Sequence, residues 1–405
     1  MKKLILSLVS FVPMAIFAQG YQLNLQSVKQ SGMGGVGAAG TLNATSLYYN
    51  PGSSAFLEQN SIAAGVSGVA SYGTFTDKAS GNETKASNPF VTPFNANILL
   101  GNPAGRIRYG LSIYTPFGST MKWNDNFTGH YEITKISLIS VAFQPTVSFK
   151  VTDHFGIGAG FVYGYGHITL DKDLPINESD GSFATGNIST KANSYGYNIG
   201  AYYKFSEKFS IGATYRSALK MKANNGKADF DVPASLASQF PDQKITARLP
   251  LPNNWTFGVK YTPNNKWMFA ADFMTSNWKP YDTITIHYTE QTANLTDTKL
   301  VRLYKRGYSY RLGAQYTVDD QWQVRAGISY NKSPIPNDLV NPDVPDANRV
   351  IPSVGLSFRT SNKFVLDASF LYEHIKRSGE NRLSHINGDY KFNLFIPSVG
   401  FTYQL

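Results

Sequence analysis

The 405-residue sequence contains no cysteine. That absence excludes a disulfide framework, a thiolate metal site, a cysteine nucleophile and a lipid-modified N-terminal cysteine. Charge is scarce as well, at 16% of residues. After residue 18 no apolar run approaches the ~18 residues needed for a membrane-crossing helix. There is no G-x-S-x-G elbow and no H-E-x-x-H pair, and the six histidines are dispersed along the chain. No catalytic constellation, metal site or cofactor is therefore expected, and the chain does not read as an enzyme.

Aromatic residues and glycine are abundant: 25 Tyr, 26 Phe and 35 Gly. Together with a mean hydropathy of -0.24, this is too aromatic and Gly-rich for an ordinary soluble α/β enzyme and too polar for a helical membrane protein. Residues 1–18 have the form of a secretory signal, with basic Lys2 and Lys3, apolar Leu4 to Phe17, and Ile16-Phe17-Ala18 before a cleavage point at Gln19. Its removal lowers the formal net charge of +10 by two. The remaining Lys and Arg are scattered along the chain, and an exported protein rarely meets nucleic acid, so none is expected as a partner.

Alternation with period two runs from about residue 61 to the end. Phe155, Ile157, Ala159, Phe161, Tyr163 and Tyr165 alternate with Gly156, Gly158, Gly160, Val162, Gly164 and Gly166. One face of each strand is aromatic or aliphatic and the other is glycine or polar. In a transmembrane barrel the apolar face meets lipid, aromatic residues mark the interfaces, and the polar face lines the lumen.

Short polar turns are expected near 102–105, 152–154, 206–208, 263–266, 318–321 and 360–363. Long outer loops are expected at 73–89, 118–131, 174–193, 225–244, 288–300, 333–349 and 377–389. Their alternation implies an all-β fold, a 14-stranded antiparallel transmembrane β-barrel in the outer membrane of a Gram-negative-type bacterium. The apolar alternating last strand, ending Val399, Phe401, Tyr403 and Leu405, suits recognition by the outer-membrane assembly machinery. Outer-membrane lipids and lipopolysaccharide would surround the barrel. Residues 19–60 differ: the tract from Ser31 to Gly40 includes Gly32 and Gly34 and is followed by Tyr49, Asn50 and Pro51. With no strand before it and no βαβ unit after it, this is not a dinucleotide site. Its small residues suit an N-terminal hatch, a plug packed inside the lumen, with the barrel at 61–405.

Gly20-Tyr21-Gln22-Leu23-Asn24, the Gly/Ala tract and Tyr49-Asn50-Pro51 resemble the hatch of the FadL long-chain fatty acid transporters. Leu249-Pro250-Leu251-Pro252, Ser276-Asn277-Trp278, Ser333-Pro334-Ile335-Pro336, Val344-Pro345-Asp346-Ala347-Asn348-Arg349 and Gly388-Asp389-Tyr390-Lys391-Phe392 are similar to the same family in the same order. Gly52 departs from the alanine usual there. The resemblance covers the whole chain after residue 18. It implies a monomeric barrel that passes fatty acids or aromatic hydrocarbons without energy input. The substrate would be caught between the third and fourth outer loops and released sideways through a break in the third strand.

Those loops carry Ile176, Phe183, Val232, Leu236 and Phe240 as candidate contacts for a hydrophobic small molecule, with 233–240 as a short amphipathic helix. The alternative is that these side chains only pack the loops together. Thr115-Pro116-Phe117-Gly118 is the candidate lateral gate, because proline removes a ladder donor and glycine weakens a strand. Lumen-facing parity includes Arg108, Arg216, Lys260, Asp272, Arg311, Arg325 and Asp367. Arg216, Arg311 and Arg325 could meet a carboxylate, or could form internal salt bridges with Asp272 and Asp367. Pro93, Pro145, Pro252, Pro352 and Pro397 recur in descending strands, and inward bulges that seat the hatch would explain them. A surface barrel serving adhesion or as a receptor is the other reading of such a chain, and would need neither hatch nor weakened strand.

Overall fold

The computed structural model describes residues 20–405, so the expected signal segment lies outside the described residues. Twenty-one strand segments form one closed antiparallel sheet. Seven barrel strands are interrupted, so the wall has fourteen: Ser61–Ser67 with Ala70–Asp77; Glu83–Lys85 with Phe94–Leu100; Ile107–Tyr114 with Gly118–Lys122; Lys135–Lys150; Phe155–Asn177; Phe183–Lys204; Phe209–Arg216 with Lys220–Asp231; Gln243–Pro250 with Asn253–Tyr261; Trp267–Asn277 with Thr283–Tyr288; Thr298–Val301 with Arg306–Thr317; Trp322–Lys332; Arg349–Arg359; Phe364–Glu380; and Asn387–Gln404. The first pairs with the last, from Ser61 opposite Gln404 to Ser67 opposite Ser398, which closes the barrel. Short connections at 101–106, 151–154, 205–208, 262–266, 318–321 and 360–363 all fall where turns are expected.

Side-chain parity follows the pattern of the sequence. In the fifth strand Gly156, Val162, Gly164 and Gly166 face inward, whereas Ile157, Phe161 and Tyr165 are exposed on the outer wall. An apolar exterior of this kind is stable only against lipid.

The outer connections are shorter than expected. The fifth and sixth strands continue as a hairpin through most of 174–193 and leave 178–182 as their connection, because Leu174, Ala184 and Gly186 keep alternating buried with exposed neighbours. The seventh and eighth strands likewise reach Asp231 and resume at Gln243. Residues 233–240 are consecutive turns rather than a helix. Phe240 N–H to Leu236 O is a bond of helical spacing there, whereas Leu236 N–H to Pro233 O and Gln239 N–H to Leu236 O close tighter turns. So short a segment does not repay helix nucleation.

Residues 20–60 fill the lumen with three short helices, α1 (Val28–Ser31), α2 (Ser46–Tyr49) and α3 (Pro51–Ser54). The Asn50 side chain accepts from Gly52 N–H and caps α3, with Pro51 in its first turn. The glycines of the inner wall mark where hatch backbone lies against strand backbone. A Cβ on Gly158 would stand 2.6 Å from Pro51, and one on Gly52 would stand 2.8 Å from the carbonyl oxygens of Gly156 and Gly200. The glycine face of the fifth strand thus receives Pro51 and Gly52, while the Gly/Ala tract lies against Gly212, Gly258, Gly313, Gly327 and Gly355 of later strands.

Three of the five descending-strand prolines do not bulge inward to seat the hatch, while Pro93 and Pro252 are buried beside strand interruptions. Pro145, Pro352 and Pro397 are exposed on the outer wall, and the pairing of Pro352 with Ile328 and of Pro397 with Phe370 runs without a register shift. Their inward neighbours make the contact instead: Gly34 N–H donates to Ser353 Oγ at 2.9 Å, and Leu25 packs with Ile351, Leu371 and Ile396.

Candidate functional site

The second and third strands pair from Asn95 opposite Tyr114 to Leu100 opposite Tyr109. Beyond Tyr114 the third strand loses its regular form for Thr115, Pro116 and Phe117. It resumes at Gly118, paired with Ile139 of the fourth strand but no longer with the second. Pairing with the second strand ends with Thr115 N–H to Phe94 O and returns only at Lys122, which bonds Ser87 and Asn88, and at the bridge of Ala86 with Trp123. Between these points the wall has no ladder. Proline explains the start, since Pro116 has no N–H to give, and the second strand carries Pro89 and Pro93 opposite the gap.

The freed backbone groups are taken by the hatch. Leu23 N–H donates to Pro116 O and Gly118 N–H donates to Tyr21 O, both at 3.1 Å, around a bridge of Gln22 with Phe117. Ser140 Oγ accepts from Phe117 N–H at 3.1 Å. Inside a membrane an unpaired ladder survives only where its groups meet protein or a cavity, and here both occur. A cavity of about 490 Å³ begins between residues 88–94 and 115–121 and continues into the lumen as far as Arg311, Leu371 and Ile396. Phe90 and Ile139 stand on its outer rim, largely exposed.

A smaller cavity of about 80 Å³ lies farther out. Leu138, Ile168, Met221 and Ile284 are among its apolar lining, and Tyr21, Tyr281, Arg302 and Asp343 form a polar end. Tyr21 lines this cavity while Gly20, Gln22 and Leu23 line the larger one. The first hatch residues are therefore the partition between two chambers, and the same residues patch the third strand.

Both chambers hold charge that is already paired. Arg302 meets Asp343 at 2.7 Å, and Tyr21 Oη donates to the same carboxylate at 3.2 Å. Burial, with the Asp343 charge beside it, pushes the Tyr21 phenol well above its ordinary value. Arg349 meets both Asp346 and Glu373 at 2.8 Å, and Asp346 also accepts from Gly20 N–H at 2.7 Å. Burial raises the Asp346 carboxyl, against the pull of Arg349.

Of the three candidate arginines, Arg311 faces the larger cavity. It donates to Gly35 O and Asn24 Oδ1, both at 3.0 Å, and so grips the hatch. Arg216 donates to Tyr48 O at 2.8 Å and to Tyr114 Oη at 2.6 Å, with its guanidinium 4.0 Å over the Tyr48 ring. Arg325 lies on the turn side, bonded to Gln315 and Ser357 and 3.9 Å from Asp367. Asp272 accepts from Gly37 and Ala38 N–H at 2.7 and 3.1 Å. Arg311, Arg216 and Asp272 thus hold the hatch at Asn24, Gly35, Tyr48, Gly37 and Ala38, whereas Gly32, Gly34, Asn50 and Pro51 meet the wall through backbone and neutral side chains.

The five loop residues are not brought into one groove. Phe183 packs on His130 and Tyr131 of the connection after the third strand. Phe240 joins a cluster with Ile245, Ile286, Tyr288 and Leu295. Ile176, Val232 and Leu236 are half-buried, and none of the five lines either chamber. The polar residues that do line them, Asp343, Asp346, Arg349 and Glu373, are missing from the sequence-based candidates. Glu373 could have been found by extending the inward parity of Asp367 three steps further.

The family model described as "Outer membrane protein transport protein (OMPP1/FadL/TodX)" matches residues 9–404. The long-chain fatty acid transport protein of Escherichia coli K12 is 20% identical over 409 aligned positions, covering 90% of each chain. Among solved structures, a Pseudomonas aeruginosa FadL homologue superposes with a TM-score of 0.82 at 17% identity, over 95% of this chain and 99% of that one. The toluene transporter TodX of P. putida gives 0.74 at 16%, over 96% and 99%.

Proposed function

Because this chain belongs to the OMPP1/FadL/TodX family of outer membrane transport proteins, we propose that it admits hydrophobic molecules from outside and releases them sideways, through the gap between its second and third strands. The family is one of transporters for fatty acids or aromatic hydrocarbons and not of enzymes. The observation that carries the lateral route is the missing ladder between the second strand and residues 116–121 of the third, patched by Tyr21–Leu23 and opening on an apolar chamber.

The physical task fits. Each CH₂ moved from water into an apolar wall gains about 0.8 kcal/mol, so a hydrophobic solute descends from the outer chamber to the lipid without an energy source. Half-buried Ile176, Val232 and Leu236, with Phe183 and Phe240, give the outer surface a first apolar contact. The barrier is the partition at residues 20–23. A carboxylate that reaches Arg311 competes with Gly35 and Asn24 for the guanidinium, which couples ligand arrival to release of the hatch. Arg216 keeps the Tyr48 end of the hatch in place, and Arg325 stays within the barrel wall.

Uptake of labelled oleate and toluene into cells that depend on this chain tests the proposal. Gly118→Leu drives a side chain toward Leu23, whose Cδ1 is 3.2 Å from the Cβ position, and should cut uptake of either compound severalfold. Undiminished uptake would remove the lateral route. Absence of uptake in the wild type would favour the adhesin or receptor barrel.

A further inference from the structure

Lysines and arginines that are far apart in sequence are gathered on the outer wall by strand register. Lys191, Lys222, Lys227, Lys244, Arg248 and Lys299 are all exposed, at outward positions of the sixth to tenth strands. Lys222 stands directly opposite Arg248, and Lys227 directly opposite Lys244. On its other side Lys222 stands opposite Asn193, two residues from Lys191. Lys299 is opposite Thr285, beside the Ile286 that pairs with Ala247. Directly opposed like charges destabilise a sheet, yet none of the six forms a salt bridge among the described residues. Asp229 and Asp231 lie farther out on the seventh strand.

The depth of this face is set by aromatic residues just below it. Tyr195 is 66% exposed and stands opposite Tyr163, and Tyr165 stands opposite Asn193. Exposed tyrosines of this kind mark the membrane interface. Lys191 is four residues beyond Tyr195, and Lys222 is level with Asn193, two residues beyond it. At ~3.3 Å per residue Lys191 and the Lys222–Arg248 pair lie about 7–13 Å past the aromatic belt, at the level of the lipid headgroups, and the Lys227–Lys244 pair, level with Ser189, lies about 20 Å past it, each less after strand tilt. His167, opposite Lys191, adds a buried Nδ1 without a hydrogen-bond partner.

We infer that this face binds the phosphates of an outer-leaflet lipid, a bisphosphorylated glycolipid of the lipopolysaccharide type, with its acyl chains against the tyrosines below. Charge complementarity points to an anion, and headgroup depth points to a lipid rather than a soluble partner. Two cation pairs separated by four positions on the eighth strand, about 13 Å, match a disaccharide with a phosphate on each ring better than a lipid with one phosphate. The inference does not rest on transport.

The test is native mass spectrometry of the detergent-purified protein with bisphosphorylated, monophosphorylated and dephosphorylated lipid A, and with phosphatidylglycerol. The bisphosphorylated form should be retained one to one. Affinity should fall at least about tenfold in the K222Q/K227Q/K244Q/R248Q variant and on loss of a phosphate, since basic residues near the surface attract anionic headgroups. Heat-modifiable gel migration reports whether the variant barrel is folded. Equal retention by a folded variant overturns the inference. So does wild-type binding of dephosphorylated lipid A or phosphatidylglycerol as tight as that of the bisphosphorylated form, a comparison that stands even if the variant does not fold.

Discussion

A disulfide between Gln22→Cys and Phe117→Cys should lock the partition and stop uptake. The two residues face each other across an antiparallel bridge whose flanking bonds are Leu23 N–H to Pro116 O and Gly118 N–H to Tyr21 O. That pattern makes them a non-hydrogen-bonded pair with Cα atoms about 4.5 Å apart, within the ~4.4–6.8 Å that a disulfide spans. The native chain has no cysteine to compete. Two backbone bonds contribute about 1–3 kcal/mol net, so thermal opening of the unlinked segment populates roughly 1–20% of molecules, enough for passive flux. A covalent bond removes that population. Labelled oleate uptake by oxidised cells should fall at least about tenfold and return on reduction. Equal uptake in the oxidised and reduced states, with cross-linking verified by mass spectrometry, would refute the idea that residues 20–23 must move.

Arg216→Met leaves Tyr48 O and the Gln144 side chain short of a charged donor; it should loosen the hatch by about 2–4 kcal/mol and raise conductance in planar bilayers. Gly158→Val puts side-chain atoms into Pro51 and should displace α3, seen as new protease cleavage within 45–60. Pro352→Ala and Pro397→Ala should leave conductance at the wild-type level, because both rings face outward. Burial holds the Lys29 ammonium of the hatch down at about 8, with Asp367 opposing, against an ordinary value of 10.5. The undocked segment then binds more protons than the docked one between these values, so hatch seating should strengthen as pH rises from 8 to 10.5. Conductance measured across that window should decline, and Lys29→Met should abolish the trend.

Strand number is legible in the sequence because turn residues punctuate a period-two pattern whose outward face must be apolar throughout the membrane. Loop limits are not legible by the same rule. Past the lipid the outward positions become Lys, Asp and Asn, and a strand such as Phe183–Lys204 then looks like a polar connection although its inward residues still alternate. Pro116 and Gly118 announce the gap because their effect is local. The chamber residues do not announce themselves: Asp343 meets Arg302, and Phe183 meets His130, across 41 and 53 positions of chain. The gathering of the outer cations has the same origin, since only cross-strand register turns a scatter of Lys and Arg into a face.

The fit of the hatch also dictates a sequence of events in assembly. Residues 20–60 precede the strand that forms one side of the seam, and the seam joins the two ends of the chain, Ser61 to Gln404. With Pro51 against Gly158 and Gly52 against Gly156 and Gly200, the lumen leaves no clearance through which a folded plug could later be threaded. A plug already folded therefore cannot enter once the first and last strands have zipped, so the N-terminal segment takes its final shape only inside the wall, either as the sheet closes or after it.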